Sequence, residues 1–226
     1  MEQENSEVLM VRQPIFDKQL KIVAYQLRYQ YSEHAEDSLF DPEKEGSMLL
    51  MHTFTSLFQD GQIQKVPAFL PFPSSMLEGG EPLALPRKQI VIEIHPDIQV
   101  SQGLIDHLSL LRKQGYRLAL DGFSMQQDLI ALIKHVNIVK VDFSLMHKRK
   151  ILKLVALLGR SKITALAQNV DDFETLSFCK KAGFKLFQGR FISRPAKVLG
   201  KQVPGNSAAL IQLIQQLQRP DITAAE

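Results

Sequence analysis

From residue 87 onward the chain alternates short apolar runs with amphipathic ones, and this alternation limits the possible folds more than any other feature. The apolar runs are IVIEIH, RLALDGF, NIVKVDF, KITALAQ and FKLFQG, each separated from the next by a segment of helical periodicity. Strands alternating with helices at this spacing predict βαβ units and parallel pairing. Strands this apolar are typical of sheets covered on both faces. A TIM-type barrel and a doubly wound open sheet both satisfy the pattern.

Two further features favour the barrel. No glycine-rich phosphate loop follows any of these strands, which counts against an open dinucleotide-binding sheet. Polar residues stand instead at the carboxyl ends of successive strands, where barrels of this type carry their chemistry. We therefore predict a (β/α) barrel over residues 1–205. Residues 206–226, an amphipathic helix followed by Pro220, are predicted to be a separate connector.

Composition excludes several classes of protein. A net charge of +3 over 226 residues is too small to indicate a nucleic-acid or membrane-surface protein, and the basic run HKRK at 147–150 is typical of a solvated helix face. The acidic start MEQENSEVLM is unlike a secretory signal, and no apolar run reaches the roughly 18 residues of a membrane span. With Cys179 as the one cysteine, no internal disulfide can form, and we predict a cytoplasmic protein.

The polar residues at the strand ends define a candidate site. They are Gln26, Pro71, Glu93, Asp121, Lys140 with Asp142, Gln168 with Asp171, and Gln188. A carboxylate buried at a strand end is costly unless it is paired or bound to a metal ion. Glu93, Asp121 and Asp142 could therefore bind a hard cation such as Mg²⁺, with Lys140 placing a water or phosphate oxygen. Alternatively, Glu93 and Asp121 form a buried ion-pair network with Lys140, and the residues alone leave both interpretations open.

Six segments, in this order, resemble the signatures of the EAL domain family. They are VRQPIFDKQLKIVAYQLRYQ, IVIEIHPD, GYRLALDGF, VNIVKVDF, ALAQNVDDFE and KLFQGRFISRP, which together cover essentially the whole chain. The resemblance is strongest to the subgroup in which EAL precedes an HDOD domain. It implies a TIM-type barrel with an antiparallel first strand, hydrolysis of cyclic di-GMP, and a connector at 206–226 leading to an HDOD domain that this sequence lacks.

Carried over by position, the resemblance implies that several functional side chains have changed. The substituted metal-ligand positions are Gln26, Pro71, Gly122 and Gln168, and Pro96 stands at a further acidic position. Gln30 stands where the family has an arginine that contacts a ligand phosphate. The retained positions are Glu93, Asp121, Lys140 and Gln188, with Lys140 matching the lysine that orients the attacking water. Asp171 conservatively replaces a glutamate of the family, and Asp142 is the remaining acid at a strand end.

These substitutions predict that the family's chemistry is lost. Two amides replace two anionic ligands at Gln26 and Gln168, while Pro71 and Gly122 offer no side-chain oxygen at all. We therefore expect no binding of Mg²⁺ or Mn²⁺, no metal site, no other cofactor and no catalytic residue. The retained acids and lysine are then vestigial, and the chain is predicted not to be an enzyme.

The resulting functional prediction is a catalytically inactive EAL-like regulatory domain that acts through a protein partner in bacterial signalling. The alternatives are a receptor that binds cyclic di-GMP without cleaving it and a residual phosphodiesterase. Arg28, Gln188, Arg190 and Arg194 are the candidate ligand-binding residues, but the loss at Gln30 makes binding of cyclic di-GMP doubtful. The resemblance also implies a homodimer.

Overall fold

The computed structural model describes residues 8–30, 66–78 and 86–200, and these form a closed barrel. Its strands are β1 (Val8–Phe16), β2 (Ile22–Gln30), β3 (Ala68–Pro71), β4 (Ile90–Ile94), β5 (Arg117–Phe123), β6 (Ile138–Asp142), β7 (Thr164–Gln168), β8 (Leu186–Phe187) and β9 (Ala196–Gly200). The first eight make the wall of the barrel, while β9 pairs with β1 only.

The strand directions confirm the predicted barrel with an antiparallel first strand. From β2 to β8 each strand pairs in parallel with the next one along the chain. β1 runs antiparallel to β2 and meets β8 through the pair Phe16 and Phe187, which closes the barrel. The carboxyl ends of seven strands and the amino-terminal half of β1 therefore lie at the same end, the mouth of the barrel.

Helices cover the outside of the barrel. They are α1 (Ser74–Glu78), α2 (Gln102–Lys113), α3 (Gln127–Ile130), α4 (Lys148–Arg160) and α5 (Phe173–Ala182), with 3₁₀ turns at Ile133–His135 and Phe143–Leu145. α4 shows why they pack there, because Ile151, Leu154 and Leu158 recur at helical spacing and are all buried against the wall. Removing these apolar stripes from water is the main force that holds the helices on the strands.

A separate layer of side chains fills the interior of the barrel. Its members, one from each wall strand, are Ile15, Ala24, Phe69, Val91, Ala119, Ile138 and Leu166, with the partly buried Leu186 packed against them. Side chains two residues apart in a strand share a face. The residues two positions nearer the mouth therefore also point inward, and the sequence of each strand decides which side chains stand there.

Some predictions concern parts of the chain outside the described ranges. Residues 206–226, the predicted connector to an HDOD domain, are among these, so the division at residue 205 stays a prediction, as does the pairing of two copies of the chain. Within the described ranges, no helix is both long and apolar enough to cross a membrane.

Candidate functional site

A ring of mostly polar side chains lies at the mouth of the barrel, one step above the interior layer. Its eight members, the mouth ring, are Gln13, Gln26, Pro71, Glu93, Asp121, Lys140, Gln168 and Gln188. Each lies two residues from a member of the interior layer, on the mouth side of the same strand. Strand geometry thus places in one ring seven of the residues that the sequence predicted at strand ends, whereas Asp142 and Asp171 lie outside it.

Lys140 lies at the centre of the ring and joins two carboxylates. Its side chain is fully buried, its Nζ contacts Glu93, and the same Nζ lies 2.8 Å from Oδ1 of Asp121. Glu93 is 1% exposed. A charge buried this deeply is tolerated only when paired and hydrogen-bonded, and here each carboxylate compensates the lysine.

Arg28 covers the cluster from the mouth. Two residues beyond Gln26 on β2, it turns its guanidinium back toward the ring, contacts Asp121 through Nη2 and lies 3.5 Å from Oε2 of Glu93. Its side chain remains 30% exposed. We call Glu93, Asp121, Lys140 and Arg28 the charge cluster, and its formal charges sum to zero.

Gln26 and Gln168, at positions where the resemblance implies acidic residues, act as hydrogen-bond donors to this cluster. Gln26 Nε2 lies 3.1 Å from Oε2 of Glu93, and Gln168 Nε2 lies 2.8 Å from Oδ1 of Asp121. Gln188 Nε2 in turn donates to Gln26 and, at 2.9 Å, to Oε1 of Gln13. Each carboxylate of the cluster therefore accepts a hydrogen bond from a glutamine amide in addition to its contacts with Lys140 and Arg28.

Sequence reasoning missed Gln13. Because β1 runs antiparallel, its residue at the mouth is found two positions before the interior Ile15, whereas in every other wall strand it is found two positions after. The alternation of side chains in β1 puts Gln13 on the same face as Ile15. Only the direction of the strand shows that Gln13, and not residue 17, lies at the mouth.

The charges around Asp121 change its titration. Burial alone would raise the pKa of this carboxyl, but the positive charges of Lys140 and Arg28, with their hydrogen bonds, outweigh burial and hold the pKa well below its ordinary range. A lowered carboxyl pKa stabilises the fold at every pH above the unfolded value of about 3.9. That contribution is lost only as the pH falls from there through the lowered pKa.

We expect Asp121 to remain ionised at pH 3, where an ordinary aspartate is largely protonated. The measurement is a pH titration of its side-chain carboxyl carbon by ¹³C NMR. Replacing Arg28 with glutamine removes one of the two charges and should raise the midpoint toward the ordinary value. A wild-type midpoint at or above about 3.9 would contradict this assignment.

The rim beside β7 and β8 carries a cationic groove of about 810 Å³. Its lining reaches β1 and β9 and consists of Val11, Asp171, Arg190, Phe191, Arg194, Pro195 and Lys197. Arg190 Nη2 lies 3.2 Å from Oδ2 of Asp171, in a pair that is largely exposed. Of the sequence-predicted residues, Asp171, Arg190 and Arg194 therefore lie in this groove, whereas Asp142 accepts a hydrogen bond from Asn169 at the β7 end.

The backbone at Gly122 adopts a conformation that favours glycine. Gly122 has a φ of +52°, in the left-handed region that favours glycine, and it lies where the β5–β6 register is irregular. An aspartate at 122 would be strained in this conformation. The position after Asp121 therefore has a backbone conformation that suits glycine better than a second aspartate.

As arranged here, the mouth does not fit a divalent cation. No group of three or more His, Cys, Asp or Glu side chains able to hold a metal ion occurs in the described part of the chain. Glu93 and Asp121 provide the hard oxygen ligands that Mg²⁺ or Mn²⁺ prefers, but Lys140 and Arg28 already neutralise them. The amide oxygen of Gln168 is buried and has no hydrogen-bond partner among the residues described.

Comparison with known proteins gives consistent matches. The sequence matches the EAL domain over residues 81–195. It is 30% identical over 220 residues to the uncharacterised protein YuxH of Bacillus subtilis, covering 94% of this chain and 53% of that protein. It is also 30% identical over 216 residues to the cyclic di-GMP phosphodiesterase CdgJ of Vibrio cholerae, covering 94% and 50%. The chain thus spans about half the length of these two relatives.

The fold also matches solved structures. A complex of Klebsiella pneumoniae BlrP1 with manganese and cyclic di-GMP superposes with a TM-score of 0.68, at 17% identity, over 87% of this chain and 58% of that one. At this identity the match supports the barrel fold, and its ligands are properties of BlrP1.

Three predictions from the sequence are wrong. The prediction that the chain is not an enzyme is contradicted by the match to an enzymatic family and by a relative named a cyclic di-GMP phosphodiesterase. The predicted absence of a metal cofactor, and the doubt about cyclic di-GMP, are contradicted by the match to the EAL domain and by the relative named a cyclic di-GMP phosphodiesterase. BlrP1, which shares the fold, holds manganese and cyclic di-GMP in its own structure. The reasoning failed because it counted lost ligands one by one, whereas Glu93, Asp121 and Lys140 remain together at the centre of the mouth.

Proposed function

The chain belongs to the EAL domain family, and from this membership we propose that it recognises cyclic di-GMP at the mouth of its barrel. The observation that carries the proposal is the cationic groove at the rim, whose Arg190 follows the ring member Gln188 by two residues in the chain. The ligand is inferred from the names of similar proteins, and the groove supplies the chemistry that would recognise it.

The groove matches the chemical groups of a cyclic dinucleotide. Arg190, Arg194 and Lys197 offer cationic donors for two phosphodiester groups, and arginine binds such oxygens with short, charge-assisted hydrogen bonds. Phe191 is about half exposed in the same groove, so its ring is available for a guanine to stack on. Phosphate donors and a flat apolar surface within one groove support binding of a nucleotide rather than of a small inorganic anion.

Hydrolysis of the bound dinucleotide is a second candidate activity, supported by the position of Lys140. Its ammonium has three N–H donors, of which Glu93 and Asp121 take two, so one remains for a water or a phosphate oxygen. Because the two carboxylates fix the position of the ammonium, it would hold an attacking water in one orientation. The name of the relative CdgJ supports the same reaction.

The proposal is tested by calorimetric titration of the protein with cyclic di-GMP, with and without Mn²⁺. We expect binding by the wild type and about tenfold or greater loss of affinity when Arg190 and Arg194 are both changed to alanine, the order of one charge-assisted hydrogen bond. The same samples, analysed by mass spectrometry, would show the linear dinucleotide if one phosphodiester is cleaved.

The matched control removes the same charge elsewhere. Arg149 and Arg160 lie exposed on α4 and are not among the residues that line the groove, so changing both to alanine should leave the affinity unchanged. If both double variants lost the same affinity, the effect would come from net charge alone, and the groove would be excluded as the binding site. No binding by the wild type under either condition would contradict the proposed function itself.

A further inference from the structure

We propose that the helical layer outside the barrel carries a separate anion site, which binds a phosphate group between the end of α2 and the 3₁₀ turn at Ile133–His135. The site is a pocket of about 320 Å³, the outer pocket, lined by Ser109, Arg112, Lys113 and His135. It shares no lining residue with the cationic groove at the rim. The inference therefore does not depend on the proposed recognition of cyclic di-GMP.

The charges around the outer pocket are mostly positive. Arg112 and Lys113 are both exposed in the last turn of α2, and the charge of Lys134 on the turn also acts on His135. Asp106, on the same helix, is the acid whose charge opposes them there. The carboxyl end of a helix adds only about half a negative charge. Three cations therefore outweigh the acid and the helix dipole together, and the region attracts an anion.

Arg112 is held in a fixed position at this pocket. Its Nη1 donates to the carbonyl oxygen of Lys134 at 2.7 Å, which anchors the guanidinium between α2 and the turn. Among the described residues this is the one hydrogen bond of its side chain, so the other N–H donors of the guanidinium are available. A planar guanidinium beside the ammonium of Lys113 suits the oxygens of a phosphate group.

His135 is neutral beside these cations. Ser109 Oγ donates its single hydrogen to the carbonyl oxygen of Ile105 at 2.8 Å, so the 2.8 Å contact with His135 is a hydrogen bond from Nδ1–H to Oγ. Nε2 is then the unprotonated nitrogen, and it is buried with no hydrogen-bond partner in the described ranges. Burial, followed by the charges of Lys134 and Arg112, holds the pKa of His135 below its ordinary value.

A phosphate bound in the outer pocket would change the proton affinity of His135. Its negative charge offsets the charges of Lys134 and Arg112, so it favours the protonated imidazole and raises the pKa. Linkage is reciprocal, and protonation of His135 should therefore strengthen the binding of phosphate. The imidazole thus provides a local signal for occupancy of this pocket.

The test follows the ring resonances of His135 by NMR while inorganic phosphate is added to the protein, with sodium chloride at equal ionic strength as the reference. We expect phosphate to raise the midpoint of the His135 titration well above its value in chloride. A parallel titration with guanosine 5′-monophosphate distinguishes two sources of the same chemical group. Tighter binding than inorganic phosphate supports a site for a phosphate ester, and equal binding supports a site for the free ion.

Two substitutions should change the phosphate affinity in opposite directions. Lys113→Gln removes a cation and should weaken binding by about tenfold, the order of one charge-assisted hydrogen bond. Asp106→Asn removes the opposing acid and should strengthen binding by about threefold, the order of one exposed charge interaction. A variant that is merely destabilised would not show this gain. The control Lys153→Gln removes an exposed charge of α4 that lines neither pocket, and its affinity should equal that of the wild type.

The outer pocket is overturned as a phosphate site if the His135 midpoint is the same in phosphate and in chloride. It is also overturned if Lys113→Gln loses no more affinity than Lys153→Gln, because the effect would then come from net charge. An Asp106→Asn variant that binds phosphate no more tightly than the wild type leads to the same conclusion. These results are separate from the binding of cyclic di-GMP, which is measured with variants of the groove.

Discussion

Lys140→Met should lower the free energy of unfolding at pH 7 by about 3–5 kcal/mol, the usual cost of removing one partner from a buried ion pair. Methionine has nearly the same length as lysine and keeps most of its packing. The loss therefore comes from Glu93, which is 1% exposed and would retain only the more distant Arg28 as a cation. Because native proteins are stable by only about 5–15 kcal/mol, this is a large fraction of the total, measurable by urea denaturation.

The double variant Glu93→Gln, Lys140→Met is the matched control. It removes both members of the pair and leaves Asp121 with Arg28, so the cluster stays neutral and most of the lost stability should return. Recovery would show that the cost lies in the unpaired charge and not in the packing of methionine. A single variant that loses less than about 1 kcal/mol, a value typical of exposed pairs, would contradict a buried network.

Much of the fold and part of the site could be predicted from strand periodicity. Glu93, Asp121, Lys140 and Gln168 were predicted at strand ends, and they meet because each lies two residues beyond an interior side chain of a parallel strand. Side chains two residues apart in a strand share a face, so their positions can be counted directly from the sequence. The barrel could be predicted because the alternation of strands and helices is also visible in the sequence alone.

What could not be predicted depended on contacts between distant segments. Gln13 reaches Gln188, 175 residues away, only because β1 runs antiparallel. Arg28 was predicted only as a candidate ligand-binding residue, and its contact with Asp121 depends on a side chain long enough to turn back toward the ring. The prediction of inactivity failed in a similar way, since lost ligands can be counted in a sequence but the arrangement of those that remain cannot.

Gly189→Ala is the second substitution with a large expected effect, and no strand or helix pattern indicates it. A Cβ at this position would lie 2.1 Å from the carbonyl oxygen and 2.3 Å from the nitrogen of Val170, well inside contact distance. Both atoms belong to backbone, which cannot rotate away as a side chain can. We expect a loss of about 3 kcal/mol or more in the free energy of unfolding, at the upper end for overpacked sites.

The same clash should also weaken recognition of cyclic di-GMP. Val170 donates its N–H to the carbonyl of Gln188 and accepts from the N–H of Phe191, so moving Val170 displaces the segment that carries Arg190 and Phe191 into the groove. The matched control is Gly159→Ala on α4, where nothing lies within 4 Å of the added Cβ and alanine should stabilise the helix by up to about 1 kcal/mol. If thermal unfolding showed the same small change in both variants, the close packing of Gly189 on Val170 would be refuted. If only Gly189→Ala lost stability, and its folded fraction bound cyclic di-GMP more weakly, the shape of the groove would depend on this backbone contact.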